Sequence, residues 1–203
     1  MALLRYIIPL LFVTATTSGQ LALEDKAPNV PEDAGEMVRS LYSEVVARHP
    51  IGIPKDRDMK AFAPYLGAAL LREINLANAC EDDYYRHHQT PNRKPPIEWL
   101  EFGLFTGGLE EAAPGSFHVL GTEPQKDGSL RVYVELIIMY GLPANPEPSV
   151  WYVAPTVVRE QGQFRVDDII FLKDYSTLTN EFRLSEVLRT GCNGPRWVGY
   201  GGG

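Results

Sequence analysis

The chain has 203 residues, 44% hydrophobic and 22% charged, a balance that suits one globular domain with a buried core rather than a disordered tail or a membrane bundle. Its net charge is −7 and no run of Lys or Arg occurs, so the sequence argues against nucleic acid as a partner: releasing counterions from a phosphate backbone needs clustered cations.

The N-terminus, MALLRYIIPLLFVTATTSGQ, has one charge at Arg5, an apolar stretch to Val13 and then small residues. This is the pattern of a secretory signal, expected over residues 1–19. Its apolar part is shorter than the roughly 20 residues of a spanning helix, which disfavours a retained anchor. Cleavage is expected after Gly19, with Thr17 three residues back, or alternatively after Ala22; no cysteine near either cut can accept a lipid. The mature chain is expected to be periplasmic or secreted, without a stable membrane span once the signal is removed. Residues 20–33 read as a flexible lead-in.

From Ala34 to Arg48, Met37, Val38, Leu41, Tyr42, Val45 and Val46 recur at helical spacing, and Asp33 stands where an N-cap belongs. His49-Pro50 ends this helix, because the residue before a proline is pushed out of the helical region. Pro64 then separates a short helical stretch at Asp58–Ala63 from a longer helix expected to carry Pro64 near its first turn, where a missing N–H costs little. Leu66, Ala69, Leu70, Glu73, Ile74, Ala77 and Cys80 lie close to one face, so Cys80 extends a buried stripe.

QTPNRKPP must be extended, IEWLEFGLFTGG supplies a short apolar segment and LEEAAPGS is rich in turn residues. Strand candidates follow. FHVLGTE and LRVYVELIIMY are joined through PQKDGS, with its Asp127-Gly128 turn signal; WYVAPTVVRE and QFRVDDIIFL are joined at Gln161-Gly162. Pro155 cannot donate to a ladder, which places its strand at an edge or puts a bulge there. Asp174–Asn180 reads as a loop and EFRLSEVLRTG as a short last helix stopped by Gly191. Helices first and antiparallel strands after is an α+β order, with one domain over residues 34–200.

Two cysteines, Cys80 and Cys192, remain in a chain bound for export, and an even count there favours a disulfide over two separate buried thiols. Joined, they close a loop worth roughly 4 to 5 kcal/mol in the chain-entropy picture.

CEDDYYRHHQTPNRKPPIEWLEFGLFTG, FRVDDIIFLKD and LSEVLRTGCNGPRWVGY together resemble a bacterial family of exported proteins, domain of unknown function 3828, which looks like a branch of the nuclear transport factor 2-like superfamily. The paired cysteines are the most specific part of that resemblance. It implies a cone in which helices cover a curved antiparallel sheet and leave a cavity between them. It implies no set activity, since such folds host isomerases, dehydratases and plain binding modules.

Candidate chemistry sits in three places. In CEDDYYRHHQ, Asp83 and His87 have the i, i+4 spacing of helical metal ligands, while His87 and His88 diverge by about 100° and no second cluster completes a set. A polar helix end is the preferred reading, with no metal or other cofactor expected. In FRVDDIIF, strict alternation places Phe164, Val166, Asp168, Ile170 and Leu172 on one face and Arg165, Asp167, Ile169 and Phe171 on the other. Asp168 then interrupts an apolar row, either as a pocket acid or as a hydrogen-bond acceptor that fixes the strand; with the faces swapped, Asp167 takes its place. Tyr133 and Tyr152 are its candidate catalytic partners, Trp99 and Trp151 the candidate pocket walls. Arg131, Tyr133 and Glu135 share a face, read as an exposed ladder, and Trp197 and Tyr200 are expected to pack over the disulfide.

No nucleophile elbow, phosphate-cradling loop or H-E-x-x-H occurs. The leading expectation is a non-catalytic binding module for a small apolar ligand or a periplasmic protein. The rivals are a cofactor-free isomerase or hydrolase using Asp168, and an immunity-like inhibitor of a cell-wall enzyme, which fits the compartment but has no residue to argue for it.

Overall fold

The computed structural model describes residues 33–88, 103–108, 113–142, 145–174 and 179–199. Its elements run α1 (Ala34–Arg48), α2 (Asp56–Phe62), a 3-10 turn (Ala63–Tyr65), α3 (Ala68–His87), β1 (Ser116–Pro124), β2 (Leu130–Leu142), β3 (Asn145–Glu160), β4 (Gln163–Asp174), β5 (Thr179–Arg183), α4 (Leu184–Arg189), β6 (Cys192–Asn193) and β7 (Arg196–Trp197). The fold is α+β. The first five strands form one antiparallel sheet in sequence order, and β6 and β7 form a small separate hairpin. No helix among the described residues is long and apolar enough to cross a membrane. The signal and residues 20–32 lie outside the described residues.

Helix α1 starts where Asp33 accepts from the N–H groups of Gly35 and Glu36, and ends at His49 in the left-handed region. Its apolar stripe of Met37, Val38, Leu41, Tyr42 and Val45 is buried in one core with Leu70 and Ile74 of α3. The buried Tyr42 hydroxyl donates to the Phe105 carbonyl at 2.8 Å, tying α1 to the 103–108 segment. The sheet completes this core with Val132, Val134 and Leu136 of β2, Val153 and Val157 of β3, and Val166, Ile169 and Phe171 of β4. Burying side chains of this size contributes about 1.5–3 kcal/mol each, which is what holds the helices to the sheet.

Four expectations need correction. Pro64 lies in the 3-10 turn, and α3 begins only at Ala68, after the extended cap residue Gly67. Of the two alternatives for Pro155 the edge falls, because β3 pairs with β2 and β4. The irregularity stands, since the register with β4 shifts beside it, between Thr156 and Val157, and the ladder to β2 passes from Arg131↔Thr156 to Val134↔Val153, skipping the levels of Pro155, which has no N–H to give, and Ala154. Strand β4 does not alternate strictly. Thr156 pairs with Asp168 and Val157 with Val166, so Asp167 is an extra residue, and this bulge puts Val166 in the core with Ile169 and Phe171 rather than with Ile170 and Leu172. Finally, Thr179–Arg183 is a fifth strand paired with β4, so the last helix starts at Leu184 instead of Glu181.

Candidate functional site

Three elements meet beside the two cysteines. On α3, Glu73, Leu76, Ala77 and Cys80 follow one another at helical spacing along one side. Helix α4 presents Leu188 and Arg189 and ends just before Gly191, whose φ of 75° suits glycine and turns the chain into β6. The disulfide then joins Cys80 to Cys192 across a sequence separation of 112 residues, with Cα atoms 6.1 Å apart.

The hairpin that carries Cys192 is seated by Trp197, its partner across the β6–β7 ladder. The Trp197 backbone N–H donates to Asp83 at 3.1 Å, its ring meets Tyr84 edge-on with centroids 5.4 Å apart, and it lies so close over Gly191 that a Cβ there would be 2.3 Å from the ring. Tyr200 lies outside the described residues.

Between α3, α4 and the hairpin lies a cavity of about 240 Å³, lined by Glu73, Leu76, Ala77, Leu188, Arg189, Cys192, Asn193 and Gly194. Its lining is mixed: the buried Ala77, Leu188 and Cys192 stand beside the polar Glu73, Arg189 and Asn193. Its charged wall is a two-pronged ion pair: Arg189 Nε and Nη2 lie 3.0 and 2.9 Å from the two oxygens of Glu73. The hydrogen bond from Arg189 holds the Glu73 carboxyl below its usual range, against partial desolvation, and Glu73 in turn raises the Arg189 guanidinium. No protein-family model, no curated protein and no solved structure matches the chain.

The residues singled out in the sequence have other surroundings. Asp168 is 8% exposed, and it caps α4: Oδ1 accepts from the backbone N–H groups of Ile169 (2.9 Å) and Ser185 (3.1 Å), Oδ2 from the Ser185 hydroxyl (2.8 Å), with Arg183 3.5 Å away. Asp167 has its carboxyl raised by desolvation, then by the charges of Glu160 and Asp168, while Arg72 opposes the shift. Glu160 itself accepts the Ala68 N–H at the start of α3. The Tyr133 hydroxyl donates to Glu123 at 2.7 Å and that of Tyr152 to Glu135 at 3.2 Å, so each tyrosine has a carboxylate other than Asp168. Tyr133 is also buried, which corrects the exposed ladder expected for its face, and Glu135 meets His118 Nδ1 at 3.0 Å to form a His–Glu–Tyr chain across three strands.

Trp151 donates its indole N–H to the Thr106 carbonyl at 2.7 Å and packs on the main core, away from this cavity; Trp99 lies outside the described residues. Asp83 accepts from Arg86 and from the Trp197 N–H, and His87 turns Nδ1 toward the Asp83 carbonyl at 2.8 Å. Among the described residues no three His, Cys, Asp or Glu side chains converge as metal ligands. The run CEDDYYRHH is also less solvated than a polar helix end should be, because Glu81 and Tyr84 are buried, Glu81 with Lys55 Nζ 3.0 Å from its carboxylate.

Glu73 and Arg189 were not among the site candidates drawn from the sequence. The available signal was Glu73 itself, an acid between Leu70 and Ala77 on the apolar face of the helix. Its partner follows it by 116 positions, a separation that only the docking of α4 closes.

Proposed function

We propose that this chain is an exported, non-catalytic binding module that takes a small, mostly apolar ligand in the cavity between α3, α4 and the C-terminal hairpin. The supporting observation is the cavity itself: about 240 Å³ beside the disulfide, with Leu76, Ala77, Leu188 and Cys192 on its walls next to the Glu73–Arg189 pair. At about 30 Å³ per water, that is room for a small organic molecule in place of several waters. Ala77, Leu188 and the disulfide suit an apolar body. Arg189 uses two donor nitrogens on Glu73, and a guanidinium has five N–H groups in all, which suits a head group that accepts hydrogen bonds. The nuclear transport factor 2-like architecture belongs to the same proposal, supported by helices packed on an antiparallel sheet.

Ligand-observed NMR with hexanol, hexanoate and hexylamine tests it. Hexanol and hexanoate are expected to bind and hexylamine to bind less well, and Leu76→Trp, which pushes an indole into the cavity, abolishes binding. No binding by any probe, or binding unchanged in Leu76→Trp, would overturn the reading.

A partner protein on the outer sheet face is the second reading, favoured by Met139 and Val150, which are 55% and 41% exposed on the β2–β3 hairpin. A copurifying chain released by Met139→Asp and unaffected by Leu76→Trp would favour it over the first.

A further inference from the structure

We propose that the cavity is also the route by which the Cys80–Cys192 disulfide is reduced, so that Cys192 is the sulfur attacked and whatever fills the cavity protects the bridge. The second half rests on the ligand reading; the first stands without it.

The two sulfurs are not equivalent. Cys80 has no exposure and sits in the buried stripe of α3, while Cys192 is 8% exposed and lines the cavity. A thiolate must approach a disulfide along the sulfur–sulfur axis, from the side opposite the leaving sulfur. Attack on Cys80 would therefore have to come through α3 and the core. Cys192, which belongs to the hairpin and lines the cavity, is the sulfur for which an approach outside the core remains. The Trp197 indole, on the same hairpin as Cys192, packs on Tyr84 and over Gly191 and is not part of the cavity lining. The acid on the cavity wall, Glu73, is paired with Arg189, which offsets the negative charge an incoming thiolate would otherwise meet there.

With a dithiol as reductant, one thiolate forms a mixed disulfide with Cys192 and Cys80 leaves as a thiolate, which then takes up a proton. The second thiol of the reductant attacks that mixed disulfide and releases Cys192, so the dithiol becomes a disulfide and the protein gains two electrons and two protons. Cutting the bridge removes the covalent tie between α3 and the wall formed by Cys192, Asn193 and Gly194. Ligand retention and oxidation state are then linked, each favouring the other.

The experiment follows reduction of the folded, oxidised protein by dithiothreitol, quenched with an alkylating agent and read by mass. Filling the cavity with Leu76→Trp, or with Asn193→Trp if the first variant does not fold, is expected to slow reduction on the order of tenfold, because access limits the attack. Brief exposure of the wild type to glutathione, followed by alkylation and peptide mapping, is expected to place glutathione on Cys192 and the alkyl group on Cys80. Glutathione on Cys80, or an unchanged rate in a folded cavity-filled variant, would overturn the route. Protection by the Trp variants but none by saturating hexanol would leave the route standing and remove the ligand coupling.

Discussion

Replacing Asp168 by alanine separates a structural acid from a pocket acid. The side chain holds the first turn of α4 through the Ser185 N–H and hydroxyl and steadies the β4 bulge through the Ile169 N–H. Loss of a helix cap costs about 1 kcal/mol. The donors left without an acceptor in this buried place add about 1–3 kcal/mol, giving about 2–4 kcal/mol for Asp168→Ala. Asp168→Asn keeps one acceptor oxygen and the shape of the side chain, so about 1 kcal/mol is expected. Urea unfolding of the oxidised protein, followed by tryptophan fluorescence, reads both as a shift in midpoint at constant slope. A cycle with Ser185→Ala should show a coupling of about 1 kcal/mol, since the two groups are in direct contact. An Asp168→Ala variant within about 0.5 kcal/mol of wild type would refute the capping argument. If hexanol binding were lost in that stable variant, Asp168 would be a ligand residue after all.

Gly191→Ala should cost at least about 1–2 kcal/mol, because its φ of 75° is unfavourable for an L side chain and the new methyl would collide with Trp197. A midpoint shift in the same urea assay checks this; an unchanged midpoint would mean that the hairpin is not seated as described. Asp167 holds its proton more tightly in the folded chain than in the unfolded one, so folding stability falls as pH rises from about 4 through the folded value. Asp167→Asn removes that fall, and thermal unfolding at several pH values should show the variant gaining on wild type between pH 4 and neutrality. A constant difference across that range would contradict the raised value.

Local chemistry carried much of the fold in plain sight. Asp33 ahead of an apolar stripe, with His49-Pro50 behind it, marked both ends of α1, because cap, stripe and breaker lie within one short segment. Asp127-Gly128 marked the β1–β2 turn, with Gly128 at φ 85° and Asp127 accepting from Ser129. The β4 phase was not legible: nothing in FRVDDIIF says which residue bulges until β3 lies beside it and Thr156 meets Asp168. Strand β5 was missed for the same reason, since EFRLSEVL is amphipathic enough to continue as helix unless β4 pairs with its first residues.

Propensity, capping and periodicity act within a few residues, and they sufficed for the α+β order, the capped first helix, the buried stripe of α3 and a pair of cysteines with export as their expected setting. Which groups meet was left to the packing of whole elements. Asp168 became a cap for α4, His118 found Glu135 on the neighbouring strand, and Glu73 and Arg189 came together beside the disulfide to wall a cavity. Each of those contacts joins residues well separated in the chain, and their register depends on how helices and strands dock, which no short stretch of sequence encodes.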